Sequence, residues 1–269
     1  LLEGEKDSFA RGELCRKLAD ISLHRNEDPE KAFEYISAAL DTDYLEDGLI
    51  DLGFEAARYL DSEKKLLEML EKRIKREADA VRKSEIHLCV ANAYWKHVQD
   101  AAGAEEHILE AVELCPESVS VLGKACTFYE GVQQWSEYAE TALKLAEIME
   151  ESTERKQILY KAAEVFENRL SQLEKAAGVY EKIFSLDSSD EKALSEACRI
   201  YEALGEWSRA CDTIRYLLNM VKTSQDRLAL KLRLAEIENV RLNQYEIAAN
   251  LYKEILADDP QNDRAVSAL

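Results

Sequence analysis

Histidine and cysteine side chains are the first candidates for chemistry in this sequence, because imidazole and thiolate groups are the usual protein ligands of zinc. Three of the four histidines, His87, His97 and His107, lie close together in the sequence with Cys89, and the fourth is His24. Their spacing matches neither the H-E-x-x-H pattern nor the paired Cys/His pattern of zinc sites. We therefore expect isolated helix-surface histidines and no bound metal.

Two further patterns could support catalysis. Cys126 and Cys198 could act as nucleophiles, and Glu164 with Glu167 could form a carboxylate pair on one helix face. The two cysteines occupy a repeated small-residue position, which predicts buried and unreactive thiols. The two glutamates have no neighbouring insertion that would form a pocket, so they are predicted to belong to a charged face. The sequence predicts no catalytic residue, no cofactor and no enzymatic activity.

The elements that position these residues are predicted to be helices. Only 9 of the 269 residues are glycine and 3 are proline, which argues against Gly-rich phosphate loops and against many-turned β architectures. Apolar residues recur three and four positions apart, as in Leu14, Leu18 and Ile21, with charged residues between them. This pattern is typical of an all-α protein whose helices are roughly 14 residues long.

The charge of the chain restricts its partners. There are 54 acidic residues against 35 basic ones, which gives a formal net charge of -19. Such a surface disfavours nucleic acids and anionic membranes as partners. The six cysteines are dispersed, and no apolar stretch approaches the roughly 18 residues of a membrane span. We expect a cytoplasmic protein with reduced thiols and no membrane insertion.

An internal repeat runs through the chain. Four alanines recur at a constant spacing of 72 residues: Ala32, Ala104, Ala176 and Ala248. Trp135 and Trp207 keep the same spacing, and we expect both to wedge a helix pair. A weaker similarity lies 34 residues after each alanine, as from Ala32 to Leu66. Each 72-residue segment therefore contains two helix pairs, and no single pair can bury its apolar side alone.

These features resemble the tetratricopeptide repeat (TPR). Ala248, Tyr252 and Pro260 match the second helix and the end of that repeat, and Cys198 with Tyr201 matches its first helix. The odd-numbered repeats depart from the pattern by one extra residue between their helices. The resemblance implies an all-α, right-handed α-solenoid superhelix of antiparallel helix pairs with about seven repeats.

The expected domain organisation follows from the repeat. We expect one TPR-like solenoid over residues 1–269, with double units at roughly 10–80, 81–152 and 153–224 and a truncated unit at 225–269. The chain begins with Leu1 rather than Met, and neither terminal repeat resembles a polar cap. We therefore expect it to be part of a longer polypeptide.

In such an array, the first helices of the pairs line a concave groove. The expected groove residues are Asp20, Glu55, Asn92, Trp95, Glu130, Tyr160, Glu164, Glu167, Arg199, Glu202 and Glu236. Most of them are acidic, and Trp95 and Tyr160 are candidate apolar anchors, so we expect a basic or neutral protein segment as partner. The clamp of basic residues that holds acidic tails in some TPR proteins is excluded, because Asp20 and Glu55 would repel such a tail.

The sequence thus favours a non-catalytic protein-interaction scaffold with an acidic groove. The alternative is the accessory or targeting region of a larger enzyme whose catalytic domain lies outside this chain. Self-association through the repeat ends is compatible with the array, whereas RNA binding is opposed by the net charge.

Overall fold

The computed structural model describes residues 7–269. Within this range the chain forms fifteen α-helices and one π-helical turn at Tyr94–Val98, and it contains no β-strand. The helices are α1 Ser8–His24, α2 Pro29–Leu40, α3 Asp47–Tyr59, α4 Glu63–Arg76, α5 Ala80–Ala93, α6 Ala101–Leu114, α7 Val119–Gly131, α8 Trp135–Ile148, α9 Ser152–Asn168, α10 Leu173–Leu186, α11 Glu191–Leu204, α12 Trp207–Met220, α13 Ser224–Val240, α14 Tyr245–Asp258 and α15 Asp263–Ala268.

Short polar side chains begin many of these helices. Asp28, Asp100 and Asp190 each accept a hydrogen bond from the backbone N–H three residues later, at 3.0, 3.0 and 3.1 Å. Such caps satisfy donors that the helix itself leaves unpaired. Pro29 occupies the first turn of α2, where its missing N–H costs no helical hydrogen bond.

The chain divides into two compact units, Leu1–Val132 and Gln133–Leu269. In the first unit, α1 packs on α2, α3 on α4 and α5 on α6, and the first helices of successive pairs also touch one another. In the second unit, α9 packs on α10, α11 on α12 and α13 on α14. The predicted all-α solenoid of helix pairs is confirmed in this arrangement, whereas the single-domain organisation stays a prediction.

Small residues at the helix crossings allow this close packing. Ala32, Ala104 and Ala176 are fully buried and Ala248 is 2% exposed. Large side chains such as Phe166 and Tyr252 fill the space around them and are buried as well. Because each large side chain contributes roughly 1.5–3 kcal/mol when removed from water, the stacked pairs together form cores that no isolated pair could form.

The turns between paired helices repeat along the chain. Residues with a left-handed backbone occur at Glu27, Gln99, Ser171 and Asn243, and again at Asp61, Gln133 and Gly205. In the first series the chain turns through a hydrogen bond between residues six apart, for example from Gln172 N–H to the Phe166 carbonyl at 2.8 Å. In the second series the bond joins residues five apart, as from Glu206 N–H to the Tyr201 carbonyl at 2.9 Å. The longer turn accommodates the extra residue of the odd-numbered repeats.

Candidate binding groove

In the first unit the helices predicted to line the groove are α1, α3, α5 and α7. They carry four of the predicted site residues, Asp20, Glu55, Asn92 and Glu130, and a fifth, Trp95, lies in the π turn that follows α5. Two of these, Asn92 and Trp95, line one cavity of about 240 Å³, which we call the Trp95 pocket. The pocket is lined by Asp47, Leu88, Ala91, Asn92, Trp95, Lys96, Ile108, Lys124, Thr127 and Phe128. Glu130 is exposed near the end of α7 and does not line the pocket.

The Trp95 indole is held by α7. Its ring meets the Phe128 ring edge-on, with the ring centroids 5.6 Å apart, a geometry favoured by the quadrupoles of aromatic rings. A methyl group added at Gly131 would lie 2.2 Å from Trp95 Cζ2, so only glycine leaves room for the indole at this place. Trp95 is partly exposed, and it therefore offers one surface of its ring to the pocket.

The backbone around Trp95 is irregular. The chain leaves α5 through the π-helical turn Tyr94–Val98, which ends at Gln99 in the left-handed region with φ 58°. A π turn inserts one extra residue and rotates the side chains that follow it, and such turns are frequent at functional sites. The direction of Trp95 could not be predicted from the sequence, because the helical period assumes a regular α-helix up to the turn.

His97 follows Trp95 in the π turn and is held by α3. Its Nε2 lies 2.7 Å from an Asp51 carboxylate oxygen, and its ring stacks on Phe54 with the centroids 4.5 Å apart. The Arg58 guanidinium lies 3.4 Å from its Nδ1. These contacts fix the π turn against α3.

Asp20 and Glu55 are brought together by a histidine that sequence reasoning did not assign to the groove. His24 Nδ1 lies 3.1 Å from Asp20 and its Nε2 lies 3.2 Å from Glu55. Desolvation lowers the pKa of His24, but the Glu55 and Asp20 groups outweigh this effect and raise the pKa above its ordinary value. Protonated His24 would therefore neutralise part of the predicted acidic surface.

In the second unit Tyr160 is engaged in a local network. Its hydroxyl donates to Asp190 at 2.7 Å, and Asp190 in turn caps α11 through the Ala193 N–H. Lys192 Nζ lies 4.8 Å from the centre of the Tyr160 ring, and Lys156 binds Asp190 at 2.8 Å. These contacts join α9 to α11. The structure thus gives Tyr160 a structural role, and its role as an apolar anchor stays a prediction.

The remaining predicted carboxylates of the second unit are mostly paired with arginines of the following repeat. Glu167 binds Arg199 at 2.5 Å and Glu202 binds Arg233 at 2.6 Å. Glu236 forms the same kind of pair with an arginine of α15. Glu164 is exposed and has no ion-pair partner among residues 7–269. We call these three contacts the arginine pairs: Glu167–Arg199, Glu202–Arg233 and Glu236–Arg264.

The arginine pairs change the charge that this face presents. The Glu167 side chain is 16% exposed, whereas that of its partner Arg199 is 50% exposed. Glu167 therefore lies beneath the guanidinium of Arg199, whereas the side chains of Glu202 and Glu236 remain 26% and 40% exposed. A depression of about 200 Å³ in this unit is lined by residues of α8, α9 and α10, and none of the predicted site residues lines it.

The candidate nucleophiles are buried. Cys126 is 8% exposed and Cys198 is fully buried, and desolvation raises the pKa of each thiol to about 11. A thiol with such a pKa carries almost no thiolate at neutral pH, so both residues are unreactive packing groups. Glu164 is not enclosed by the depression of its unit.

The expectation of isolated helix-surface histidines is wrong for His87, which is buried and contacts His107. His87 Nδ1 lies 3.0 Å from His107 Nδ1, and within residues 7–269 no three histidine, cysteine or acidic side chains form a group that could hold a metal ion. The two tryptophans singled out in the sequence take part in packing contacts. Trp135 lies under Arg169 and Trp207 under an arginine of the next double unit, with the guanidinium carbons 5.0 and 4.7 Å from the ring centres. No helix in the described part of the chain combines the length and the apolar character that crossing a membrane requires.

Comparisons with known proteins find solved structures at low sequence identity and with TM-scores below 0.5. No protein-family model matches the sequence, and no curated protein matches it. A TPR protein from Parabacteroides merdae is 14% identical over 96% of this chain and 97% of that chain, with a TM-score of 0.38. The TPR2AB-domain:pHSP90 complex of yeast Sti1 is 13% identical over 96% of this chain and 95% of that chain, with a TM-score of 0.34.

A third similar structure is Naa15/Naa10 bound to HypK-THB. It is 14% identical over 96% of this chain but only 38% of that chain, with a TM-score of 0.49. Many other matching structures are those of TPR proteins. The helix pairs described above follow the 72-residue repeat and have the all-α arrangement that the resemblance in the sequence implies.

Proposed function

We propose that this chain is a non-catalytic protein-interaction scaffold, and that the groove of its first unit binds a basic or neutral protein segment through the Trp95 pocket. The observation that carries this proposal is the pocket itself. It is formed by α3, α5 and α7 together with the π turn and Ile108 of α6, and it combines an exposed aromatic surface with a few polar groups. This combination is typical of sites that anchor a partner side chain.

The size of the pocket favours a side chain over a small molecule. Sites for drug-sized ligands and cofactors usually enclose roughly 300–1,000 Å³, whereas the Trp95 pocket encloses about 240 Å³ and is open to solvent. Leu88, Trp95 and Phe128 supply apolar contacts, and Asn92 and Thr127 supply hydrogen-bonding groups at the same place. A leucine, methionine or aromatic side chain of a partner fits these features.

The charge preference is supported by the whole surface rather than by the pocket alone. Lys96 and Lys124 line the pocket beside Asp47, so the pocket is not acidic by itself. The chain as a whole has a formal charge of -19, and Asp20 and Glu55 lie on the groove helices. A long-range field of this sign attracts segments that carry lysine or arginine and increases their association rate.

The proposal is tested with peptides selected on the purified chain from a phage-displayed random dodecapeptide library. The best-enriched peptide is synthesised, and its affinity is measured by fluorescence anisotropy. Thr127→Phe should fill the pocket from an exposed position without removing a core contact, and Trp95→Ala removes one wall of the pocket. Each change is expected to weaken binding at least tenfold, which corresponds to about 1.4 kcal/mol.

The matched control is Leu109→Ala, because Leu109 is an exposed apolar residue on α6 of the same unit, outside the pocket. It should leave the affinity unchanged. A peptide that binds all four proteins equally well, or a library from which no peptide is enriched, would exclude this function for the pocket. The role as an accessory region of a larger enzyme, self-association through the repeat ends and the cytoplasmic location stay predictions.

A further inference from the structure

A second concavity adjoins the Trp95 pocket in the first unit. It encloses about 700 Å³ and shares three lining residues with the pocket, Asp47, Leu88 and Lys124. We call it the acidic depression, because six carboxylates line it against three cationic side chains. The carboxylates are Asp7, Asp43, Glu46, Asp47, Glu77 and Glu85.

The cations of the depression are largely committed to other groups. Arg73 donates to the backbone carbonyls of Leu40 and Tyr44 at 2.9 and 3.1 Å, so its guanidinium is directed into the protein. Arg82 forms an ion pair with Asp43 at 3.4 Å. The guanidinium groups are thus held at the walls of the depression by these partners.

Two carboxylates of the acidic depression have no cationic partner in the described part of the chain. Among residues 7–269, neither Asp47 nor Glu85 forms an ion pair. Desolvation raises the pKa of the buried Cys89 thiol, Asp47 and Glu85 raise it further, and Lys124 opposes them. Lys124 is the cation nearest to the boundary with the Trp95 pocket, because it lines both concavities.

We infer that the partner segment of the first unit carries two determinants, a large apolar side chain for the Trp95 pocket and a lysine or arginine for the acidic depression. This inference rests on the proposed function. It adds a charge requirement at a defined place, since a neutral segment would satisfy the pocket but leave Asp47 and Glu85 without a cationic partner. The apolar pocket and the charge complementarity of the adjoining depression are separate observations that point to the same segment.

The spacing of the two determinants follows from α5. Asn92 lines the pocket and Glu85 lines the depression, and these residues are seven positions apart on α5, which corresponds to about 10 Å at 1.5 Å per residue. An extended segment advances about 3.3 Å per residue. The basic residue should therefore lie about three positions from the apolar anchor.

The experiment uses the peptides selected on the full chain. Aligned sequences are expected to contain an apolar residue and a lysine or arginine about three positions apart. In the synthetic peptide, replacing that basic residue by alanine should weaken binding about fivefold at low ionic strength and less at high ionic strength. An aligned pattern that instead carries aspartate or glutamate at this spacing would overturn the inference.

Charge reversal on the protein provides the sharper comparison. Glu85→Lys should weaken binding about tenfold, whereas Glu113→Lys, the same change at an exposed position of α6, should change it less than about twofold. A peptide whose basic residue is replaced by glutamate should bind Glu85→Lys better than it binds the unaltered chain. Equal effects of Glu85→Lys and Glu113→Lys would overturn the inference.

Lys124→Gln tests the sign of the charge that the bound segment carries. A basic segment should bind this variant a few-fold more tightly, because a repelling charge at the edge of the depression is removed, and weaker binding would contradict the inference. The two proposals fail in different ways. Binding that depends on Trp95 but not on Glu85 or on the basic residue overturns only the inference, whereas binding that is independent of Trp95 overturns the proposed function.

Discussion

At the scale of single residues, the Trp95 pocket depends on the absence of one side chain. Gly131 packs directly against the indole ring of Trp95. The sequence alone identified Asn92 and Trp95 as groove residues from their repeat positions, and the structure brings both to one cavity. It did not identify Gly131, because a glycine at the end of a helix is ordinary and only the position of the ring makes it necessary.

Two glycines of α7 give a matched pair for stability. Gly131→Ala should destabilise the chain by about 1–3 kcal/mol, because the added methyl group would overlap the Trp95 ring. Gly123→Ala should stabilise it by about 0.5–1 kcal/mol, because nothing lies within 4 Å of the added group and alanine favours the helix. Urea unfolding measures both changes, and shifts of the same sign in the two variants would contradict the packing described for Trp95.

At the scale of helices, the repeat positions of the core were predictable and the links between repeats were not. Ala32 and Ala176 are buried at helix crossings as their spacing predicts. The arginine pairs were not predicted. Arg233 lies 31 residues after Glu202, and their side chains meet only because the turns before and after α12 have the lengths that the structure shows. His24 was missed for a related reason: its ring reaches Glu55 from a different helix, which no local pattern in the sequence indicates.

One cluster of histidines links three helices and predicts a pH dependence. His87 on α5 contacts His107 on α6 at 3.0 Å, and His107 contacts Glu71 on α4 at 3.1 Å. Desolvation, with a smaller effect of His107, lowers the pKa of His87 to about 4. In the unfolded chain His87 binds a proton near pH 6.5, whereas in the folded chain it does so only near pH 4. Stability should therefore fall as the pH decreases from about 6.5 to 4.

His87→Gln removes this titrating group. Urea unfolding at pH 7 and pH 5 should therefore show a smaller loss of stability for His87→Gln than for the unaltered chain. His24→Gln serves as the control of opposite sign. The pKa of His24 is raised, so its contribution is present at low pH and is lost as the pH increases through that pKa. A His87→Gln variant with an unchanged difference between the two pH values would contradict a neutral, buried His87.

At the scale of the molecule, the two units present different surfaces. In the first unit an apolar pocket and an acidic depression share Asp47, Leu88 and Lys124. In the second unit the predicted carboxylates Glu167, Glu202 and Glu236 are each paired with an arginine of the same unit. The negative charge of the whole chain was evident from its composition, but its division between paired and unpaired carboxylates depends on contacts between repeats. We therefore place the binding surface in the first unit.

The most direct test of this placement is photo-crosslinking of a selected peptide that carries photoleucine at its apolar anchor. After irradiation and digestion, mass spectrometry identifies the residues of the chain that are joined to the anchor. We expect crosslinks within residues 88–96 and 124–128, the two segments that contain most of the residues lining the Trp95 pocket. Crosslinks confined to α4, to the outer side of α6 or to the second unit would contradict the assignment of the groove.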